Sequence, residues 1–122
     1  MLIVDTYLDK SKIHGIGVFA NQFIKEKTLI GKIIPGLDCI IEKDNLKDFN
    51  LVIQKHFNNH AYNYDLDSNL LVLELGNSNY MNHSANPNID NEGYTLKDIN
   101  IGEELMCNYK LFDSSCGYNW LK

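Results

Sequence analysis

Tyr80-Met81-Asn82-His83-Ser84-Ala85-Asn86-Pro87-Asn88 is the stretch on which the reading of this chain turns, together with Ile101-Gly102-Glu103-Glu104-Leu105-Met106-Cys107-Asn108-Tyr109 shortly after it. The first stretch is too polar and turn-prone to be a core strand. Pro87 fixes its own φ and drives Asn86 toward extended geometry, so the backbone here is strongly dictated. Five of its nine residues carry side chains able to bond nearby backbone, the composition of an ordered, non-repetitive loop. Asn-Pro-Asn by itself reads as a decorated β-turn. Followed by Gly-Glu-Glu-Leu and a tyrosine four residues after the leucine, it is a more specific pattern.

Together the two motifs resemble the signature of the SET-domain protein lysine methyltransferases. That family carries Asn-His-Ser-x-x-Pro-Asn, then Gly-Glu-Glu-Leu ending in an aspartate and a tyrosine. Here Asn82-His83-Ser84 precedes a correctly spaced Pro87-Asn88, and Gly102-Glu103-Glu104-Leu105 precedes Asn108-Tyr109. Either motif alone is a weak signal; both in this order are a strong one. The resemblance implies a mainly β, β-clip-like fold of small sheets with one principal helix. It also implies a C-terminal pseudoknot that brings Asn82 beside Tyr109. Chain pattern alone would not suggest such threading.

Working outward, 122 residues suit one compact domain with one core. The hydrophobic share of 44% and charged share of 22% are those of a globular protein. No apolar run approaches the roughly 20 residues that span a bilayer. The start, Met1-Leu2-Ile3-Val4-Asp5, lacks the pattern of a signal peptide, so an intracellular location, cytoplasmic or nuclear, is expected. Cys39, Cys107 and Cys116 cannot all pair and form no Cys-x-x-Cys, which reads as reduced thiols. No metal site is expected from them, since structural zinc ligands usually come in spaced pairs. All 11 basic residues are lysine and the net charge is −5, which argues against nucleic acid as the main partner. An acidic surface favours a lysine-containing protein or peptide. Composition leaves a homodimer open.

Toward the N-terminus, Ile3 to Tyr7 and Ile13 to Ala20 read as short strands around the turn Asp9-Lys10-Ser11-Lys12. Gly15 and Gly17 either absorb unusual φ/ψ in a hairpin or bulge, or leave backbone bare for close ligand approach. His14-Gly15-Ile16-Gly17-Val18-Phe19-Ala20 resembles the family's opening run, which holds the methionine end of its cofactor. Lys27 stands where a glycine is usual in the family. Leu29 to Ile34, Cys39 to Ile41, Leu70 to Leu75, Tyr94 to Leu96 and Leu105 to Asn108 read as strands. Between the last two, Asn100-Ile101-Gly102-Glu103 reads as a turn.

Lys43 to His60 is the one good helix candidate. Leu46, Phe49, Val52, Ile53 and Phe57 fall at three- and four-residue steps, giving an apolar stripe that reads as a core face. Asp44 or Asn45 could cap its start and Asn58-Asn59 could end it. After it, Tyr62 and Tyr64 alternate onto one face of an extended segment. This segment resembles the family's Tyr-x-Phe-Asp-Leu-Asp, where aromatics border the cofactor and the lysine channel. The resemblance runs over about residues 6 to 109, which implies a SET domain at 1–109 and a short tail at 110–122 that closes the site. Phe112, Tyr118 and Trp120 would do so by apolar packing.

The resemblance implies methyl transfer from S-adenosylmethionine to a lysine amine, leaving S-adenosylhomocysteine. Tyr109 matches the catalytic tyrosine, and its usual pKa near 10 makes it an orienting group rather than a base. Asn82 and His83 match residues that bind the adenosine half of the cofactor. The resemblance makes Gly15, Ile16, Gly17, Tyr62 and Trp120 further expected cofactor neighbours. Tyr64 and Cys107 are expected along the substrate lysine. Asn108 replaces the family's aspartate, which keeps a SET-like module that binds peptide or cofactor without turnover as the alternative.

Overall fold

The two motifs lie side by side at one edge of a sheet. In the computed structural model, which describes residues 1–64 and 69–111, seven short strands and one α-helix follow in order. They are β1 (Thr6–Lys10), β2 (Ile16–Ala20), β3 (Cys39–Glu42), α1 (Leu51–His60), β4 (Tyr62–Asn63), β5 (Leu70–Leu73), β6 (Asn82–His83) and β7 (Glu104–Cys107). One sheet has the order β1-β2-β7-β6, the other β3-β5-β4. The architecture is mainly β with small open sheets, as the sequence implied.

The hairpin β1–β2 pairs from Thr6↔Ala20 to Lys10↔Ile16. Its turn covers residues 11–15, later than the sequence suggested, because Ser11 organises it. The Ser11 N–H donates to the Gly15 carbonyl at 2.8 Å, and Ser11 Oγ accepts from the N–H groups of Ile13 (2.9 Å) and His14 (3.2 Å). A side chain that bonds its own turn fixes where the strands part. On the other side of β2, Val18↔Leu105 and Phe19↔Glu104 place β7 antiparallel.

Then β6 joins β7 in parallel, with Asn82↔Met106 and His83↔Cys107. The chain continues around β7: the N–H groups of Asn88 and Ile89 both donate to the Met106 carbonyl (3.2 and 3.0 Å). The buried Asn88 side chain completes the wrap, donating to the Glu104 carbonyl and accepting from Met106 N–H, each at 2.8 Å. Val18, Ala20, Ile24, Ile30, Ile89, Ile99, Leu105, Cys107 and Tyr109 form the main core, so the segment carrying the tyrosine is built into it. Phe57, Ala61 and Leu71 form a second, smaller cluster under α1.

Several elements differ from the sequence reading. The helix over 43–60 is two pieces: a 3-10 segment Lys43–Asp48, and α1 after a break in which Phe49 is extended. Asn50 causes the break, because its side chain caps α1 by accepting from Ile53 N–H at 3.0 Å. The apolar stripe is accordingly not one core face. Phe57 is buried and Leu46 packs on the smaller cluster, whereas Val52 is 78% exposed. The strands read at Leu29–Ile34 and Tyr94–Leu96 are only isolated bridges, Leu29↔Tyr94, Leu2↔Gly31 and Ile89↔Thr95. There Thr95 Oγ1 takes ladder positions, accepting from Thr28 N–H and donating to the Lys25 carbonyl. The expected turn at 100–103 is present, with Gly102 at φ 90°.

Candidate active site

Side chains alternate across β7, so Glu104 and Cys107 leave opposite faces and the β6–β7 pair divides two environments. On one face, the Asn82 amide donates to the carbonyls of His14 (3.0 Å) and Ile16 (3.2 Å) and reaches Glu104 Oε2 at 3.3 Å. Ser11 Oγ donates to Glu104 at 2.8 Å (Oε1), with Oε2 at 3.1 Å. Gly17 packs over the same carboxylate, so closely that a Cβ there would stand 2.8 Å from Glu104 Cδ. Gly15 has φ 51° and open space where a Cβ would project. The Gly-x-Gly loop, Asn82 and Glu104 are thus one connected unit.

The other face opens into a cavity of about 440 Å³, whose lining includes Tyr62, Met81, Cys107 and Tyr109. Tyr109, only 8% exposed, begins a 3-10 turn directly after β7. Its hydroxyl donates to the Met81 carbonyl. Its N–H donates to Nδ1 of His83 at 3.1 Å, and the two rings stand 5.3 Å apart. Burial pushes the Tyr109 hydroxyl well above the ordinary tyrosine range, and Cys107 adds to the shift. Burial likewise pushes the Cys107 thiol up to about 12, with Glu74 contributing. Both groups are protonated at neutral pH.

The structure therefore brings together Gly15, Ile16, Gly17, Asn82 and His83 around one edge of the strand pair, and Tyr62, Cys107 and Tyr109 around the cavity. Tyr64, beyond β4, is 42% exposed and does not line the cavity. Asn108 Oδ1 accepts from Lys110 N–H at 3.0 Å. Trp120, Phe112 and Tyr118 lie outside the described residues. Among the described residues, no group of three or more His, Cys, Asp or Glu could hold a metal ion, and no helix is long and apolar enough to cross a membrane. Sequence reasoning did not single out Ser11, Glu104 or Asn88 as site-building residues. Glu104 and Asn88 stand within the two motifs, but no sequence signal assigned either a bonding partner, and Ser11 lies outside both motifs.

A family model of the SET domain matches residues 15–110. The histone-lysine N-methyltransferase trr of Drosophila melanogaster is 29% identical over 120 residues, covering 87% of this chain. The chain spans only 5% of that relative's length. Among solved structures, a Plasmodium falciparum protein described as a histone methyltransferase superposes with a TM-score of 0.63 at 23% identity, covering 98% of both chains. An inhibitor-bound humanized mutant of the Chaetomium thermophilum Polycomb Repressive Complex 2 gives 0.62 at 23% identity, over 91% of this chain and 15% of that one. These likenesses establish the same fold.

Proposed function

Because this chain belongs to the SET-domain family, we propose that it transfers a methyl group from S-adenosylmethionine to the side-chain amine of a lysine in a protein. The observation that carries the reading is the buried Tyr109 hydroxyl, held on the Met81 carbonyl in the lining of the cavity. Histone-directed names among the similar proteins make a lysine-rich protein the first substrate to try.

The residues present fit the cofactor. Bare backbone at Gly15, with open space where a side chain would stand, is a cradle for a ligand's extended chain. Among the described residues, the Asn82 carbonyl oxygen and Nε2 of His83 keep their bonding capacity, since only the Asn82 amide and His83 Nδ1 are engaged. When bound, S-adenosylmethionine supplies a methyl group already activated by its positively charged sulfur. Gly15, Ile16 and Gly17 would hold its methionine end, Asn82 and His83 its adenosine half, with Tyr62 and Trp120 as neighbours.

The chain's own contribution is positional. The protonated Tyr109 hydroxyl and the Met81 carbonyl present fixed oxygen atoms that orient the transferring carbon by weak C–H···O contacts. The cavity takes the lysine side chain out of water, and burial lowers an ammonium pKa, which favours the neutral nucleophile. Alignment and desolvation can supply most of the acceleration such a displacement needs. The small, protonated Cys107 leaves room beside the amine.

The test is incubation of the chain with methyl-labelled S-adenosylmethionine and lysine-rich proteins. Labelled methyl-lysine is expected with the wild-type chain and should be largely lost in Tyr109→Phe, which keeps the ring. Absence of any S-adenosylmethionine binding would overturn the reading. Binding without transfer would instead support the non-catalytic alternative that Asn108 raises.

A further inference from the structure

The cavity is too large for one lysine side chain. Five non-hydrogen atoms, each given the roughly 30 Å³ that a water molecule takes in the liquid, fill about 150 Å³. Against about 440 Å³ of cavity, well over half is left over. Besides Cys107 and Tyr109, the lining includes Leu29, Ile33, Gly93 and Tyr94.

These residues make a built surface. Leu29 bridges Tyr94, and Ile30 N–H donates to the Gly93 carbonyl at 2.8 Å. Gly93, at φ 91°, lies so close to Gly31 that a Cβ would stand 2.9 Å from its carbonyl oxygen. Two glycine backbones in contact make a tight floor, and Leu29, Ile33 and Tyr94 supply an apolar wall. Asp90 and Glu92 bring two carboxylates to the lining, against one lysine, Lys32. The Asp90 carboxylate is fixed in place by the N–H groups of Glu92 (2.9 Å) and Tyr94 (2.8 Å). Glu74, also in the lining, is paired with the N-terminal ammonium.

We infer that this part of the cavity lining is a side-chain subsite for an apolar residue neighbouring the target lysine. Its preferred substrates carry Leu, Ile, Phe or Met within two positions of that lysine, in a basic segment that suits Asp90 and Glu92. An apolar wall and a close-packed floor gain from filling by a side chain and gain little from glycine. The inference rests on the lysine-methyltransferase reading and adds to it a substrate class.

The test uses the full chain and lysine peptides that differ only in carrying Leu, Phe or Gly at each of the two positions on either side of the target. Equilibrium binding by fluorescence anisotropy and methyl transfer are read on the same set. At one position, Leu or Phe should exceed Gly by about tenfold or more in kcat/KM, the range a filled apolar pocket gives. Tyr94→Ala should cut that preference to below about threefold. Ile33→Ala, checked with Tyr94→Ala by thermal melting, is the second variant. Equal use of Leu, Phe and Gly peptides by a chain that binds cofactor and transfers methyl groups would refute the subsite and leave the reading intact. An undiminished preference in both folded variants also refutes it. A chain that binds neither cofactor nor any peptide removes both.

Discussion

Tyr109 and His83 hold each other by a backbone-to-ring bond: the Tyr109 N–H donates to Nδ1 of His83 at 3.1 Å, with the rings 5.3 Å apart. The bond ties the end of one motif to the middle of the other. It requires Nδ1 to be an acceptor, which assigns the proton of the neutral ring to Nε2. The same histidine therefore offers a donor outward and fixes the tyrosine inward.

Removing that acceptor should be costly. His83→Ala removes the acceptor that the Tyr109 N–H uses among core residues, a loss of about 1–3 kcal/mol. His83→Asn restores an acceptor of similar reach and should recover part of the loss. Chemical denaturation of the two variants measures the difference. Equal stability of the Ala and Asn forms would show that the bond contributes nothing.

Alkaline pH should weaken the fold through Cys107 and Tyr109. Both are acids whose folded pKa lies above its unfolded value: about 12 for the thiol against an ordinary 9.0, and upward for the hydroxyl. The folded state then holds protons that the unfolded state releases. Their stabilising effect is complete below pH 9 and is lost as pH rises toward 12. For the thiol alone the slope is at most about 1.4 kcal/mol per pH unit. Denaturation midpoints across pH 8–11 should fall with pH, and Cys107→Ala should flatten the curve. A midpoint independent of pH would contradict the burial of both groups.

The site was legible because its residues sit where the backbone needs particular residue types. Pro87 and Asn88 shape the wrap around β7, and Gly15, Gly17 and Gly102 mark turns and close approaches. What escaped was non-local. Ser11 and Glu104 bond across 93 positions, and nothing in either neighbourhood announces the other. The helix stripe misled for a related reason. Asn50 satisfies the spacing of a continuous helix, yet its side chain prefers to cap a new one. At Thr95 a hydroxyl substitutes for backbone in the ladder, which dissolves two expected strands into bridges.

Lys27 adopts φ 64°, and no other non-glycine among the described residues has a positive φ. The turn needs a left-handed residue, which is the need a glycine meets. Its N–H still donates to the Thr95 carbonyl at 2.9 Å, so the conformation is held from outside. Lys27→Gly relieves about 1–2 kcal/mol of strain and gives back part of it through the freer unfolded chain. A net gain of roughly 0.5–1 kcal/mol is expected, read as a higher melting temperature. A loss of stability would show that the lysine side chain matters more than its φ.

Gly17→Ala should weaken cofactor binding without touching the cofactor's atoms. The new Cβ meets the Glu104 carboxylate, and that group cannot swing away without releasing Ser11 and Asn82. Asn82, which also donates to the His14 and Ile16 carbonyls, then loses the carboxylate that helps hold it as their anchor. Because both changes act on one network, Gly17→Ala and Glu104→Ala should be less than additive in a double-mutant cycle, by about 0.5 kcal/mol or more. Calorimetry with S-adenosylhomocysteine gives the affinities. Strict additivity would mean that Gly17 acts apart from Glu104.

The number of methyl groups added should depend on Cys107. The family resemblance implies that the position two before Tyr109 often carries phenylalanine or tyrosine, whose bulk and hydroxyl would limit repeated transfer. Here Cys107 lines the cavity beside Tyr109, is 5% exposed and keeps its proton. Its thiol is a small group and a weak hydrogen-bond partner. A methylated amine must turn to present its lone pair again, and each added methyl needs volume within close-packed walls. With a thiol at this position that volume is free, so di- or trimethyl-lysine is the expected product. Cys107→Tyr fills the space and adds a hydroxyl that can bind the amine, shifting product toward monomethyl-lysine. Mass spectrometry of exhaustively reacted substrate reads the outcome. Monomethyl-lysine alone from the wild-type chain would show that another wall of the cavity sets the limit.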